Sequence, residues 1–334
     1  MFKLEIFILS LMLVSGNLMA QTDGSQFLGI FGQPLEEINP DSFSEVDQSV
    51  IKLGKLLYFE KRLSKDNSIS CNSCHDTTKF GVDGTKFSTG FKNHLTGRNS
   101  PTSFNAFMHV SQFWDGRAKD VEEQAKGPIL AGGEMAMPSA EAVVAKLKGI
   151  DGYPELFQKA FPNSKNPLTY DNVGKAIGAY ERLFVTPSRF DKALAGEKSA
   201  LTKEEYSGLS KFVSNGCVAC HSGNLLGGMM YQKLGSAKAW PNQKDQGRFQ
   251  LTKKPEDKMM FKVPSLRNIE KTGPYFHDGS ADTLIEAIKM MGKHQLGREI
   301  SDKDAKEIET FLKTLTGELS KDIAKAPEAF PGSN

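Results

Sequence analysis

The chain of 334 residues is 39% hydrophobic and 25% charged, the balance of an ordinary soluble globular protein, and its length suits roughly two domains. Forty-two Lys and Arg against 40 Asp and Glu leave a net charge of only +2. That argues against a nucleic-acid binder, which normally shows a basic face or stripe.

Residues 1–20 read as a secretory signal peptide: Lys3 supplies the basic start, residues 6–14 the apolar run, and Ala20 a last residue before cleavage. The run falls short of the about 20 apolar residues that a bilayer crossing needs. An exported mature chain without a membrane span is therefore expected. Over residues 47–59, Val50, Leu53 and Leu57 fall on one helical stripe. Ser139 begins another helix, with Glu141 in its first turn. Asp171 opens a helix through about Phe184, closed by Pro187, and residues 186–191 read as the linker between two halves. Thr202 and Glu205 form a capping box ahead of Tyr206, Leu209, Phe212 and Val213. Asp282 is expected to cap a helix carrying Leu284, Ile288 and Met291, with Gly292 as its stop. Ser301 and Asp304 resemble a further box before Ile308, Phe311, Leu312 and Leu315, closed by Gly317. Alternating strand patterns are nearly absent, and the irregular stretches 76–105, 222–250 and 262–281 have the length of loops that wrap a cofactor.

All four cysteines fall in two C-x-x-C-H motifs, Cys71-Asn72-Ser73-Cys74-His75 and Cys217-Val218-Ala219-Cys220-His221. This is the attachment signature of haem c: two thiols bond one haem, and the next imidazole becomes the proximal iron ligand. A zinc site would bring its C-x-x-C pairs within about 15–20 residues, whereas these lie 146 apart. A redox C-x-x-C would call for a βαβ neighbourhood, which the pattern lacks. An exported chain would ordinarily spend its cysteines on disulfides; here none is left over. The fold expected is mainly α, with two cytochrome c-like domains, each wrapping one covalently bound haem c, and long irregular loops. The divisions are 1–20 signal peptide, 21–185 first haem domain and 186–334 second haem domain. No repeat is evident beyond the two motifs.

The sixth iron position decides between electron carriage and chemistry, and a Met/His pair raises the potential. Among twelve methionines, Met291 is the candidate downstream of the second motif. Composition alone favours instead a core methionine of the Leu284–Ile288 stripe. Glu134 by itself reads as a solvated loop carboxylate.

Several stretches in fixed order carry a resemblance: Gly81-Val82-Asp83-Gly84, Arg98-Asn99-Ser100-Pro101-Thr102, Gln112-Phe113-Trp114-Asp115-Gly116-Arg117, Gly133-Glu134-Met135, Pro264-Ser265-Leu266-Arg267-Asn268 and Tyr275-Phe276-His277-Asp278-Gly279. From about Leu53 to Leu315 the chain resembles the bacterial di-haem cytochrome c peroxidases. The resemblance implies a periplasmic peroxidase reducing hydrogen peroxide to water with two electrons from a small cytochrome c or cupredoxin, and a homodimer. The haem on Cys71, Cys74 and His75 would reduce peroxide. The haem on Cys217, Cys220 and His221, with Met291 as distal ligand, would store electrons. A Met at 291 also separates the chain from a related class that matures a protein-derived quinone, where a Tyr stands. Glu134 would be the acid/base of the peroxide pocket, Gln124 its hydrogen-bonding partner, and Trp114 the aromatic between the haems. Asn99, with the carbonyls of Thr272 and Pro274, would hold a calcium ion. Rival readings are a di-haem electron carrier, or an oxidase acting on another substrate.

The chain departs from the family at one place. The distal His that closes many resting members falls sixteen residues after the proximal one, and here that residue is Phe91. Either His94 is the gate, or the first iron lacks a protein sixth ligand and needs no reductive activation. The second is expected, because a three-residue shift would disturb the loop leading to Asn99. His109 and His294 are read as structural or surface residues.

Overall fold

The computed structural model describes residues 24–332; the expected signal peptide lies outside them. Local capping places most helices. In α1 (Glu45–Phe59), the Ser44 hydroxyl accepts from the Asp47 amide at 3.1 Å, so the helix starts two residues before the expected Asp47. Cys71–Cys74 makes the single turn α2. Asp120 caps α3 (Val121–Leu130), and Ser139 caps α4 (Ala140–Lys148) as anticipated. α5 (Tyr153–Ala160) follows. α6 (Tyr170–Glu181) is capped by Thr169 and ends short of Phe184.

The segment read as a linker is no tether: it supplies α7 (Arg189–Leu194), and Thr186, Ser188 and Asp191 are buried. The Thr202–Glu205 box opens α8 (Lys203–Ser214), and α9 (Phe249–Thr252) is a single turn. Thr283, not Asp282, caps α10 (Leu284–Met290). Gly292 does not stop that helix but sits buried in the π-turn Met291–Gln295, where a Cβ would meet Ile300 at 2.4 Å. Ser301 caps α11 (Asp302–Lys313) from one side only, and α12 (Lys321–Ala324) follows. Gly317 lies beyond the end of α11, packed against the carbonyls of Thr186 and Pro187. Strands β1 (Tyr231–Lys233) and β2 (Met260–Lys262) pair antiparallel, with Gln232 opposite Phe261.

The two largest apolar clusters fall one per haem motif. The first gathers Leu53, Leu57, Val143, Phe157 and Ile177; the second gathers Leu209, Phe212, Ile308, Phe311 and Leu315. Each contains a close helix crossing made possible by a glycine. A Cβ on Gly54 of α1 would lie 1.8 Å from the Ala176 carbonyl of α6, and one on Gly208 of α8 would lie 2.1 Å from the Glu307 carbonyl of α11. The termini cross over: Phe31 belongs to the second cluster, and Leu319 and Ile323 belong to the first.

The fold also exposes a repeat that the sequence reading missed. Pro101-Thr102-Ser103-Phe104-Asn105 and Pro264-Ser265-Leu266-Arg267-Asn268 each lead, seven residues after the Asn, into Gln112-Phe113-Trp114-Asp115-Gly116-Arg117-Ala118 and Tyr275-Phe276-His277-Asp278-Gly279-Ser280-Ala281. Each seven-residue loop is closed by an antiparallel bridge between its ends, Gln112 to Ala118 and Tyr275 to Ala281. Phe113 and Phe276 both take positive φ, 65° and 72°. Asn105 and Asn268 both donate to the Thr186 hydroxyl, at 2.8 and 2.9 Å. The signal was legible as x-F-[WH]-D-G-x-A occurring twice, but only four of its positions match, which is easily passed over.

Candidate functional site

The first motif opens on a cavity of 890 Å³, lined by Cys71, Cys74, His75, Gln124, Glu134 and Trp114, among others. The chain-derived groups fit a haem there. His75 Nδ1 donates to the Gly81 carbonyl at 3.3 Å, which leaves Nε2 free to bind iron. In the second motif, His221 Nδ1 makes the same kind of bond to the Leu226 carbonyl at 2.9 Å. The shared carbonyl anchor fixes the tautomer that an iron-ligating histidine needs. Burial pushes the Cys74 and Cys217 thiols up to about 11. That is the opposite of the depressed thiol of a redox C-x-x-C.

Helix α3 forms one wall. Val121, Gln124, Ala125 and Pro128 face the cavity, and Pro128 cannot donate to the Gln124 carbonyl one turn back. Beyond its end, the Gly132–Gly133 loop turns Glu134 inward. The Glu134 amide bonds the Ala131 carbonyl at 2.9 Å, and its own carbonyl accepts from Phe91 at 2.8 Å. Neither the Glu134 carboxyl nor the Gln124 amide group bonds another described side chain, so both stand free at the cavity wall. Burial raises the Glu134 carboxyl above its ordinary range, and the nearby Arg117 guanidinium opposes the shift. Arg117 itself lies 3.4 Å over the Phe113 ring.

His94 is exposed, and its ring lies on the backbone of Gly133, where a Cβ would meet it at 2.4 Å. Phe91 sits between the ammonium groups of Lys65 and Lys92, each 5.5 Å from its ring. Gly90 borders the cavity, whereas Phe91 and His94 do not.

Trp114 joins the two halves. It lines the first cavity and also packs on the cluster of Trp240, Met259 and Phe261, against which Met291 rests. Its indole N–H donates to the Asn99 carbonyl at 2.9 Å, and its own carbonyl accepts from Lys262 at 2.8 Å. Its ring meets His277, its counterpart in the repeat, edge to face at 6.3 Å. Asn99 donates from its backbone to the His277 carbonyl at 2.8 Å and from Nδ2 to the Thr85 carbonyl at 2.9 Å. Its side-chain oxygen therefore has no partner among the described residues. Thr272 and Pro274 lie on the same loop as His277, flanking the cis Gly273–Pro274 bond. No group of three or more His, Cys, Asp or Glu among the described residues is disposed to hold a metal. A calcium ion would thus draw on amide and carbonyl oxygens, as hard cations accept. His294 is buried and donates to the carbonyls of Lys238 and Ala239, and His109 accepts from Lys262 at 2.8 Å.

Two anchored C-x-x-C-H turns, one opening on a cavity with a free carboxyl, define a di-haem c-type protein with a candidate chemical site. The family described as "Di-haem cytochrome c peroxidase" matches residues 48–199. The chain is 44% identical to the cytochrome c551 peroxidase of Nitrosomonas europaea over 86% of this chain and 84% of that protein. It is 40% identical to the cytochrome c551 peroxidase of Pseudomonas aeruginosa over 92% and 91%. A solved structure described as a MauG-like protein associated with microbial copper homeostasis superposes with TM-score 0.76 at 26% identity, over 90% of this chain and 98% of that one. The chain belongs to the di-haem cytochrome c peroxidase family, and membership implies two haems c. No helix among the described residues is long and apolar enough to cross a membrane.

Proposed function

We propose that the protein is a periplasmic peroxidase that reduces hydrogen peroxide to water in the Cys71–Cys74–His75 cavity. The observation that carries this reading is the unpaired Glu134 carboxyl at the wall of that cavity. Haem iron, when bound, supplies the electrons that break the O–O bond. The chain supplies the proton work: Glu134 takes a proton from one peroxide oxygen and returns it to the other, and Gln124 orients the peroxide by hydrogen bonding. Trp114 stands between the cavity and the Met291 cluster, which suits an aromatic between two redox centres. Met291 and His221 would be the side chains that hold the second iron, and a Met/His pair there would raise its potential. The name of the two relatives supports a small cytochrome as donor, with a cupredoxin as the other candidate and a homodimer as the assembly. Asn99, Thr272 and Pro274 hold calcium through oxygen atoms.

The placement of His94 on Gly133, outside the cavity, supports a first iron that is open without prior reduction. The test is peroxide consumption by haem-loaded protein, fully oxidised and half-reduced, with both haem spectra followed. Turnover from the oxidised start is expected, and His94→Ala should leave the electron paramagnetic resonance of the oxidised protein unchanged. A wholly low-spin spectrum lost in His94→Ala would make His94 the gate. Peroxide inertness in both states would favour an electron carrier.

The pH profile follows from Glu134. A carboxyl raised by burial stays protonated to higher pH than usual, and a protonated Glu134 is no base. Activity is therefore expected to fall on the acid side through a value above the ordinary carboxylate range of about 4.3. Arg117→Ala removes the opposing charge, so kcat/KM measured against pH should show that limb moved further up.

A further inference from the structure

Peroxide reduction, H2O2 + 2 H⁺ + 2 e⁻ → 2 H2O, takes two protons from solvent for each turnover. Glu134 can shuttle a proton between peroxide oxygens, but that exchange is internal and does not import one. A second carboxyl reaches the same cavity. Glu181, the last residue of α6, is 8% exposed and lines the cavity beside Val121 and Ala125 of α3. Its carboxyl makes no hydrogen bond to a described residue.

Behind it stands Glu122, in the first turn of α3. Glycines bring the two helices together: a Cβ on Gly178 would lie 2.7 Å from Glu122 Cγ, and one on Gly174 would lie 2.6 Å from the Glu122 carbonyl. Glu122 Oε1 accepts from the partly exposed Arg182 guanidinium at 2.7 and 2.9 Å, while Oε2 is buried without a partner. The order from solvent inward is Arg182, Glu122, Glu181 and cavity. Glu134 lies past the other end of α3, whose ten residues span about 15 Å.

We propose that Glu122 and Glu181 form the proton route into the first haem cavity, Glu122 loading from solvent and Glu181 delivering, distinct from the exchange at Glu134. This rests on reading that cavity as the peroxide-reducing site. Each delivery moves one proton from the Glu181 carboxyl into the cavity, and the resulting carboxylate is refilled from Glu122. The delivering carboxyl must be neutral near working pH and must still be able to release its proton, whereas Glu122, paired with Arg182, need only pass protons on in transit. Burial, reinforced by the Glu122 charge and opposed by Arg182, raises Glu181 to about 8. The other titratable groups facing it are Tyr58 of α1 and Tyr180 of α6. Both are themselves pushed upward and stay neutral in that range, and Cys71 of α2, bonded to haem in the loaded protein, has no thiol to titrate.

The test uses haem-loaded protein and two readouts, peroxide turnover and proton uptake. Uptake is followed with a pH-indicator dye in weakly buffered solution near pH 8, as electrons are delivered without peroxide. An electron added at the cavity raises the proton affinity of a nearby carboxyl. Wild type should therefore take up protons, Glu181→Gln should lose that uptake, and Glu134→Gln should keep it. Glu122→Gln should take up protons more slowly. Unchanged uptake in Glu181→Gln, or loss in Glu134→Gln instead, overturns the proposal. If Glu181→Gln does not load haem, the rate in Glu122→Gln decides, and an unchanged rate overturns it. Should wild type fail to turn over peroxide, the peroxidase reading falls, while the uptake measurement still judges the route.

Discussion

Replacing Glu134 by glutamine is expected to lower peroxide turnover by about 10²–10⁴-fold, the usual contribution of a positioned acid/base. The amide keeps the shape of the side chain but can neither accept nor return a proton. Haem content, the spectrum of the second haem and the urea midpoint should stay at wild-type values, because the carboxyl bonds no described side chain that its loss would strand. A fall confined to kcat, measured with peroxide saturating, would place the effect in the chemical step. Turnover within a few-fold of wild type would remove Glu134 from the mechanism.

The second large effect is on stability, where three distant segments of the chain meet. Arg267 and Asp191 are 1% and 3% exposed and form a two-pronged ion pair at 2.5 and 2.8 Å. Arg267 also donates to the Asn224 carbonyl at 2.7 Å, and Asp191 accepts from the backbones of Leu35 and Ser188, each at 2.7 Å. The pair thus ties the segment near residue 35, α7 and the Pro264–Asn268 stretch together. Arg267→Ala strands a buried carboxylate, which costs about 3–5 kcal/mol. Denaturant unfolding of the haem-loaded protein should show that loss. A double variant, Arg267→Met with Asp191→Leu, should recover only part of it: the stranded charge is gone, but the buried Leu35 and Ser188 amides lose their acceptor. If the single variant unfolds like wild type, the pair is not what fastens this junction.

Much of the site was legible because its chemistry is local. A C-x-x-C-H turn presents two sulfurs and an imidazole within five residues, so Cys71, Cys74, His75, Cys217, Cys220 and His221 needed no fold to be recognised. Caps behaved likewise: Ser139, Thr202 and Ser301 each satisfy the amide three residues on. Where two candidate caps adjoin, as at Asp282 and Thr283, the one chosen depends on how the preceding loop arrives, and the reading chose the wrong neighbour. The supposed linker failed for a related reason. Its Pro and Ser are turn-forming locally, yet Asp191 is drawn into the interior by an arginine 76 positions away.

The sequence by itself determined that this is a mainly helical chain built to carry two haems c, because covalent attachment and helix capping act over a few residues. Only the tertiary structure decided that Trp114 touches both the first cavity and the Met291 cluster, that the termini pack on each other's halves, and that Glu181 is a buried carboxyl at a cavity wall. Those properties arise from contacts between distant segments. Burial and shared packing depend on where the chain returns in space, which no short window of residues encodes.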